Sequence, residues 1–250
     1  MKATIIKLLL LFGIVPLCNA QVLTGEAFDT NKGILIVHPI LHGTLALEWE
    51  GNIILIDPYG GESAMEGIPP PDLILITDIH GDHHNPNTLE IIGTSETLYV
   101  VPQAVADKMS NKKVEVLANG SETKFNGIKI KAIPMYNLPE NADSRHTKGR
   151  GNGYIITLGG VRIYISGDTE DIPEMLALKN IDIAFVCMNL PYTMSVDQAA
   201  NAVLQFKPSV VFPYHYRGSD GLGDVSKFQE IVNAGNKDIS VRLANWYPGN

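Results

Sequence analysis

The chain has 250 residues, 45% of them hydrophobic, with 19 basic against 27 acidic side chains and a formal net charge of −8. That length suits one domain with a sizeable core. An acidic balance with no basic run disfavours nucleic acid as a partner, because such binding rests on neutralising phosphates with Lys and Arg.

Residues 1–20 combine a basic start (Lys2, Lys7), an apolar run and a small residue at Ala20, which is the layout of a secretory signal peptide. The expected mature chain is a single domain over 21–250, exported to the periplasm or beyond, with 17 basic and 27 acidic groups once Lys2 and Lys7 are removed. A lipid anchor on Cys18 is the competing reading, and the bulky Leu17 weighs against it. No later run approaches the roughly 20 apolar residues of a membrane-spanning helix, so no stable membrane insertion is expected. Processing leaves Cys187 as the single cysteine, which excludes an internal disulfide and leaves stability to the core.

Short β-branched runs bounded by turn residues predict strands at 34–37, 45–49, 53–56, 73–77, 98–101, 128–133, 154–158, 161–165, 183–186 and 210–212. Glu50-Gly51-Asn52 and Gly159-Gly160 read as hairpin turns, since Gly and Asn tolerate positive φ. Helices are predicted at 103–109, 173–178, 196–206 and 225–234. The third carries the most signals: Ser195 and Gln198 have capping-box spacing, Ala199, Ala202, Val203 and Phe206 share one face, and Pro208 stops it. No internal repeat or low-complexity tract is visible. The longest irregular stretch, 137–153, is rich in Asn, Asp, Arg, His and Gly, and a loop of that length in a compact domain is usually functional or mobile. Strands dominating both halves, with helices interspersed, favour packed sheets covered by helices.

The main chemical signal is Thr77-Asp78-Ile79-His80-Gly81-Asp82-His83-His84, directly after the apolar run 73–76. A core has no use for three imidazoles and two carboxylates in seven residues, whereas a cation needs several N and O donors converging on one point. Three more short motifs lie further along the chain: His146-Thr147-Lys148-Gly149 eight residues before the strand at Tyr154, Ser166-Gly167-Asp168-Thr169 after the strand 161–165, and Pro213-Tyr214-His215 after the strand 210–212.

Together these motifs resemble the metallo-β-lactamase superfamily, whose signature is H-x-H-x-D-H after a buried strand; Asp78 stands in the place of the first His. That departure resembles the branch of L-ascorbate-6-phosphate lactonase-like proteins, and the similarity runs through most of the mature chain. His42-Gly43 and the later Asp57-Pro58 resemble early family features. The resemblance implies an α/β fold, the αβ/βα four-layer sandwich, with two divalent ions. One would take Asp78, His80 and His146, the other Asp82, His83 and His215, with Asp168 shared and catalytic weight on Asp82 and Asp168. It also implies hydrolysis of an ester, lactone, amide or phosphoester bond by a hydroxide between the ions, whose pKa such ions lower toward neutrality. Zinc is expected first for the superfamily, with Mn(2+) or Fe(2+) as alternatives because the extra carboxylate hardens the site.

At the rim, Arg217, Asn137, His42 and Tyr192 are candidate contacts for a small-molecule, anionic substrate, with Arg145 beside His146 as a second guanidinium and His84 as support for a ligand ring. Cys187, in an apolar strand, reads as core. A lactonase acting on a small anionic sugar derivative is the narrower alternative. A catalytically inactive metal- or ligand-binding protein of the same fold is the rival from another class, and a homo-oligomer is compatible with either.

Overall fold

The computed structural model describes residues 25–110 and 112–248; the leader expected at 1–20, with Cys18, lies outside the described residues. The first half runs β1 (Glu26–Asp29), β2 (Ile34–Leu41), β3 (Thr44–Trp49), β4 (Asn52–Ile56), α1 (Gly61–Ala64), β5 (Leu73–Leu75), α2 (Pro86–Ile92), β6 (Leu98–Val101), α3 (Gln103–Ala106) and β7 (Lys113–Val116). The second half runs β8 (Glu122–Phe125), β9 (Ile128–Met135), β10 (Gly151–Leu158), β11 (Val161–Ile165), α4 (Pro173–Leu176), β12 (Ile183–Cys187), α5 (Val196–Phe206) and β13 (Val210–Tyr214). It closes with the small hairpin β14 (Arg217–Gly218) and β15 (Gly221–Leu222), then α6 (Val225–Gly235) and β16 (Ser240–Val241).

Each half builds one seven-stranded sheet on the same plan. The first has the order β1-β2-β3-β4-β5-β6-β7 and the second β16-β13-β12-β11-β10-β9-β8. In both, four strands form an antiparallel meander, and the last of these then pairs in parallel with the next strand, from β4 to β5 and from β11 to β12. No internal repeat is visible in the residues themselves, because topology can recur without residue identity.

Strand alternation sets the layers. In β4, Ile54 and Ile56 enter the core between the sheets, while Leu55 faces outward to Met65, Leu89 and Val105 in the helical layer. Across the interior, Phe28 of β1 meets Phe212 of β13 edge-on at 6.4 Å between centroids, so residues from both sheets share one core. On the far face, Tyr164 of β11 packs against Phe206 of α5 at 5.9 Å. The result is the expected αβ/βα sandwich.

Both predicted hairpins form. In the first the positive φ falls on Glu50 (49°) and Gly51 (75°), and Asn52 instead opens β4 and donates its amide to Trp49 O. Helix α5 closes with the reciprocal Ser195–Gln198 capping box. The helix predicted at 103–109 is shorter, because Lys108 N and Met109 N bond three residues back, to Val105 O and Ala106 O. Strands β1, β7 and β8 were not predicted; they are short and charge-bearing, and β1 and β7 are edge strands of the first sheet and β8 of the second. Among the described residues no helix is long and apolar enough to cross a membrane.

Candidate metal centre

The site lies where the carboxyl ends of the central strands of both sheets meet, at the change from antiparallel to parallel pairing, a position at which open sheets leave a crevice. Asp57 follows β4, the turn 77–84 follows β5, Asp168 follows β11, Asn189 follows β12 and His215 follows β13. Three non-glycine residues here hold positive φ, namely His42 (59°), Asp57 (45°) and His215 (46°). Such conformations cost energy and persist where surrounding contacts over-determine them, often at functional sites. Gly43 leaves the necessary room, since a Cβ there would stand 3.0 Å from the His215 ring.

The turn after β5 is fixed by Asp57. Its carboxylate accepts from Thr77 N at 2.7 Å, from Thr77 Oγ1 at 2.5 Å and from His83 Nδ1 at 2.8 Å. The chain then tightens as His83 N and His84 N both donate to His80 O, at 3.0 and 2.8 Å. This reversal splits the motif between two clusters.

In the first cluster, Asp78, His80 and His146 bring one donor atom each into a common space. His80 Nδ1 lies 2.6 Å and His146 Nε2 3.9 Å from Asp78 Oδ2. In the second, His83, Asp168 and His215 converge in the same way, and Asp82 and His42 adjoin His215. The Nε2 atoms of His83 and His215 are 3.2 Å apart. Asp168 stands between the clusters: Oδ2 is 3.2 Å from His146 Nε2 and 3.4 Å from His83 Nε2, while Oδ1 is 3.4 Å from His215 Nε2. Asp82 reaches 3.6 Å from His215 Nε2 and 4.0 Å from His83 Nε2. All seven predicted donors therefore meet in one pocket.

The donor set fits divalent cations. His146 is fully buried with neither ring nitrogen hydrogen-bonded, and Asp168 Oδ1 is likewise buried without a hydrogen bond. Unsatisfied buried polar atoms are costly, and cations held at the two clusters would satisfy His146 Nε2 and Asp168 Oδ1. The electrostatics agree. Burial alone would raise Asp78, yet His80, His83 and Arg150 bring it down to about 2. Burial likewise opposes ionisation of Asp82 and Asp168, but His215 with His42, and His215 with His83, hold them well below the usual carboxylate range. Burial would lower His83, and Asp168 with Asp57 push it well above its ordinary value. The cluster draws positive charge, which protons or metal ions can supply.

The rim separates into contacts that brace the site and contacts that face a cleft. His42 Nε2 donates to Asp82 Oδ2 at 3.1 Å, and its Nδ1 accepts from Tyr247 OH at 2.7 Å. Arg217 lies over the Tyr247 ring at 4.6 Å, and with Leu41, His42, Tyr59, Asp82 and Tyr247 it lines a cleft of about 390 Å³. Tyr192 lies on the His146 flank under Arg145, 4.5 Å from its guanidinium. Asn137, expected as a substrate contact, is spent internally. Its amide donates to Glu170 Oε1 and Tyr192 O, and its oxygen accepts from His146 N at 2.8 Å, so it braces the His146 loop. His84 is buried and belongs to neither cluster. Cys187 is core as expected, its thiol pushed up to about 11 by burial.

Sequence reasoning passed over Asp57 as a functional side chain, although Asp-Pro was noticed, and missed Arg150, Asn189 and Tyr247. Arg150 forks onto Asp78, Nε to Oδ1 at 3.1 Å and Nη2 to Oδ2 at 3.0 Å. The Asn189 side-chain amide meets His215 Nδ1 at 3.0 Å and is itself held by Thr193. Only the placement of Asn189 and Tyr247 after late strands could have hinted at them, and that is a weak signal.

Comparison with known proteins agrees with this geometry. The family model described as the beta-lactamase superfamily domain matches residues 38–215. A UPF0173 metal-dependent hydrolase of Thermococcus kodakarensis is 33% identical over 191 residues, covering 72% of this chain and 84% of the relative. A candidate metal-dependent hydrolase from Parabacteroides distasonis, known from its crystal structure, is 38% identical with a TM-score of 0.81, covering 90% of this chain and all of that one. The metallo hydrolase Igni18 of Ignicoccus hospitalis shares the fold, with a TM-score of 0.72 at 23% identity over 84% of this chain and 94% of its own. With the family model spanning both clusters from His42 to His215 and relatives above 30% identity, the chain belongs to the beta-lactamase superfamily domain family and is a metal-dependent hydrolase.

Proposed function

We propose that this hydrolase works with two divalent ions, one on Asp78, His80 and His146, the other on Asp82, His83 and His215, with Asp168 shared. The position of Asp168 carries the reading, since its two oxygens lie within 3.4 Å of ring nitrogens from both clusters. Bound ions would supply Lewis acidity and a water acidified toward neutrality. The chain supplies the rest. Asp57 fixes the His83 ring, and Asn189 the His215 ring, so that each Nε2 faces the centre. His42 holds the partly exposed Asp82 at the cleft side.

The substrate we infer is a small molecule with an acidic group and an ester, lactone, amide or phosphoester bond. Arg217, stacked on Tyr247 and without an acidic partner among the described residues, supports an anionic group in the cleft beside Asp82. The narrower reading, a lactonase acting on an anionic sugar derivative, has the same support from Arg217. Zinc is the first candidate ion, and the carboxylate at Asp78 also favours manganese or iron. Metal counting on the purified protein, followed by a panel of anionic esters, lactones and phosphoesters with wild type and Asp82→Ala, tests the proposal. Two ions per chain and hydrolysis lost in the variant are expected. No bound divalent ion, or equal turnover by both proteins, would sink it.

A further inference from the structure

Arg150 belongs to none of the donor clusters, yet it makes the two shortest nitrogen contacts to Asp78 after His80: 3.1 Å from Nε to Oδ1 and 3.0 Å from Nη2 to Oδ2. The Asp78 side chain is fully buried and that of Arg150 about one-fifth exposed. Among the described residues no other group donates to Oδ1, and Oδ2 is the oxygen that faces His80 Nδ1 and His146 Nε2.

The backbone leads Arg150 to this place. It follows His146 by four positions and immediately precedes β10. Arg150 N donates to Thr147 O, after Gly149 at a φ of 86°. Two residues later Asn152 N donates to Thr77 O at 2.9 Å, so β10 begins against the strand end that carries Asp78. A Cβ at Gly151 would stand 2.7 Å from that same Thr77 oxygen, so only glycine permits the approach.

A carboxylate where the resembled signature has a neutral ring adds one negative charge to a pocket that already buries Asp57 and Asp168. A guanidinium fork cancels that charge and fixes the carboxylate plane, which a lysine point charge does not do. We propose that Arg150 is a positioning residue for the first cation: it neutralises Asp78, turns Oδ2 toward His80 and His146, and ties the His146 loop to the β5 turn. This rests on the two-ion reading, and the experiment separates the two.

Wild type, Arg150→Met, Arg150→Lys, Asp78→His and the double variant Asp78→His/Arg150→Met are stripped with chelator and titrated with Zn²⁺. Calorimetry gives the affinities, mass spectrometry counts the ions, and circular dichroism reports folding. Wild type should take two ions. Arg150→Met should bind the first about 10- to 100-fold more weakly, as for loss of other groups that support metal ligands, with the second unchanged and Arg150→Lys in between. The double variant, whose neutral ring needs no counter-charge, should regain two ions and exceed Asp78→His, in which an unpaired guanidinium faces the site.

Arg150→Met binding the first ion as tightly as wild type, or more tightly, would overturn the proposal and in the second case make the guanidinium a competitor. If Arg150→Met does not fold, the comparison of Asp78→His with the double variant decides, and equal affinities would overturn it. A wild-type chain that takes up fewer than two ions would instead overturn the two-ion reading beneath it.

Discussion

The two clusters hold their imidazoles differently. His83 and His215 each have the ring nitrogen that faces away from the centre tied down, by Asp57 at 2.8 Å and by Asn189 at 3.0 Å. His146 has neither nitrogen bonded, and the first cluster is held by the Arg150–Asp78 fork and by Asn137 on the backbone of His146. Outer hydrogen bonds orient a ring and raise its basicity before any cation arrives. The second cluster is thus preformed, and the first is assembled by charge pairing across two loops. A pre-organised site binds more tightly because less ordering remains to be done, so the two ions should differ in affinity.

The largest effect should come from removing the group common to both clusters. Asp168→Ala is expected to cost activity at least about 10³-fold, beyond the loss of one active-site hydrogen-bond donor, and to release both ions, read by steady-state kinetics and metal counting. Retention of either ion at full affinity would show that the clusters are independent of Asp168.

Asp57→Asn should weaken the second ion about 10- to 100-fold and leave the first near its wild-type affinity, measured by competition with a chromogenic chelator. An equal loss at both sites would erase the distinction drawn between them. In the same assay, graded chelation of wild type should remove the ions in two steps, with the first cluster emptying first; a single step would contradict the difference in bracing.

Acid should reveal the charge pairing of the first cluster in the metal-free protein. Asp78 is lowered from an ordinary 3.8 to about 2, so its contribution is present above pH 3.8 and is lost as pH falls through about 2. That shift corresponds to about 2 kcal/mol. Thermal melts should therefore fall between roughly pH 4 and 2, and the portion due to Asp78 should shrink in Arg150→Met. An unchanged acid limb in that variant would mean that the fork does not hold the carboxylate.

The smallest effect is expected at Cys187, which donates only weakly, to Thr169 O, and lies in the core. Cys187→Ser should leave both metal affinities unchanged and shift stability by about 1 kcal/mol, seen as a modest change in denaturation midpoint. Loss of an ion in that variant would draw the thiol into the site.

Much of this was legible in the chain. The strands buried on both faces were found, because such burial writes a continuous apolar run into the sequence, as in Ile53, Ile54, Leu55 and Ile56. The edges β1, β7 and β8 were not, since an exposed strand carries Lys, Glu and Thr like any loop. The donors of the 78–83 turn were legible because imidazoles and carboxylates crowded at a strand end have few structural uses, whereas His146, Asp168 and His215, each isolated in the chain, were named through the resemblance of their motifs to the superfamily. Their supports were not: an Asp before Pro, an Asn in a loop and an Arg after Gly, as at Asp57, Asn189 and Arg150, occur in any chain and carry no local mark of the ring or carboxylate they restrain.

The sequence by itself determined the packed-sheet class and the donor-rich turn at 77–84, because apolar runs and crowded donors are local properties of a chain, and the resemblance of its motifs to a known superfamily supplied the four-layer fold, the remaining donors and the metal-dependent hydrolase reading. Only the tertiary structure decided which side chain restrains which ring. It gave Asp57 to His83, Asn189 to His215, Tyr247 to His42 and Arg150 to Asp78, four pairings whose members lie 26, 26, 205 and 72 residues apart. Contacts at such separations arise from sheet register and from the meeting of two sheets at one edge, which no local pattern encodes.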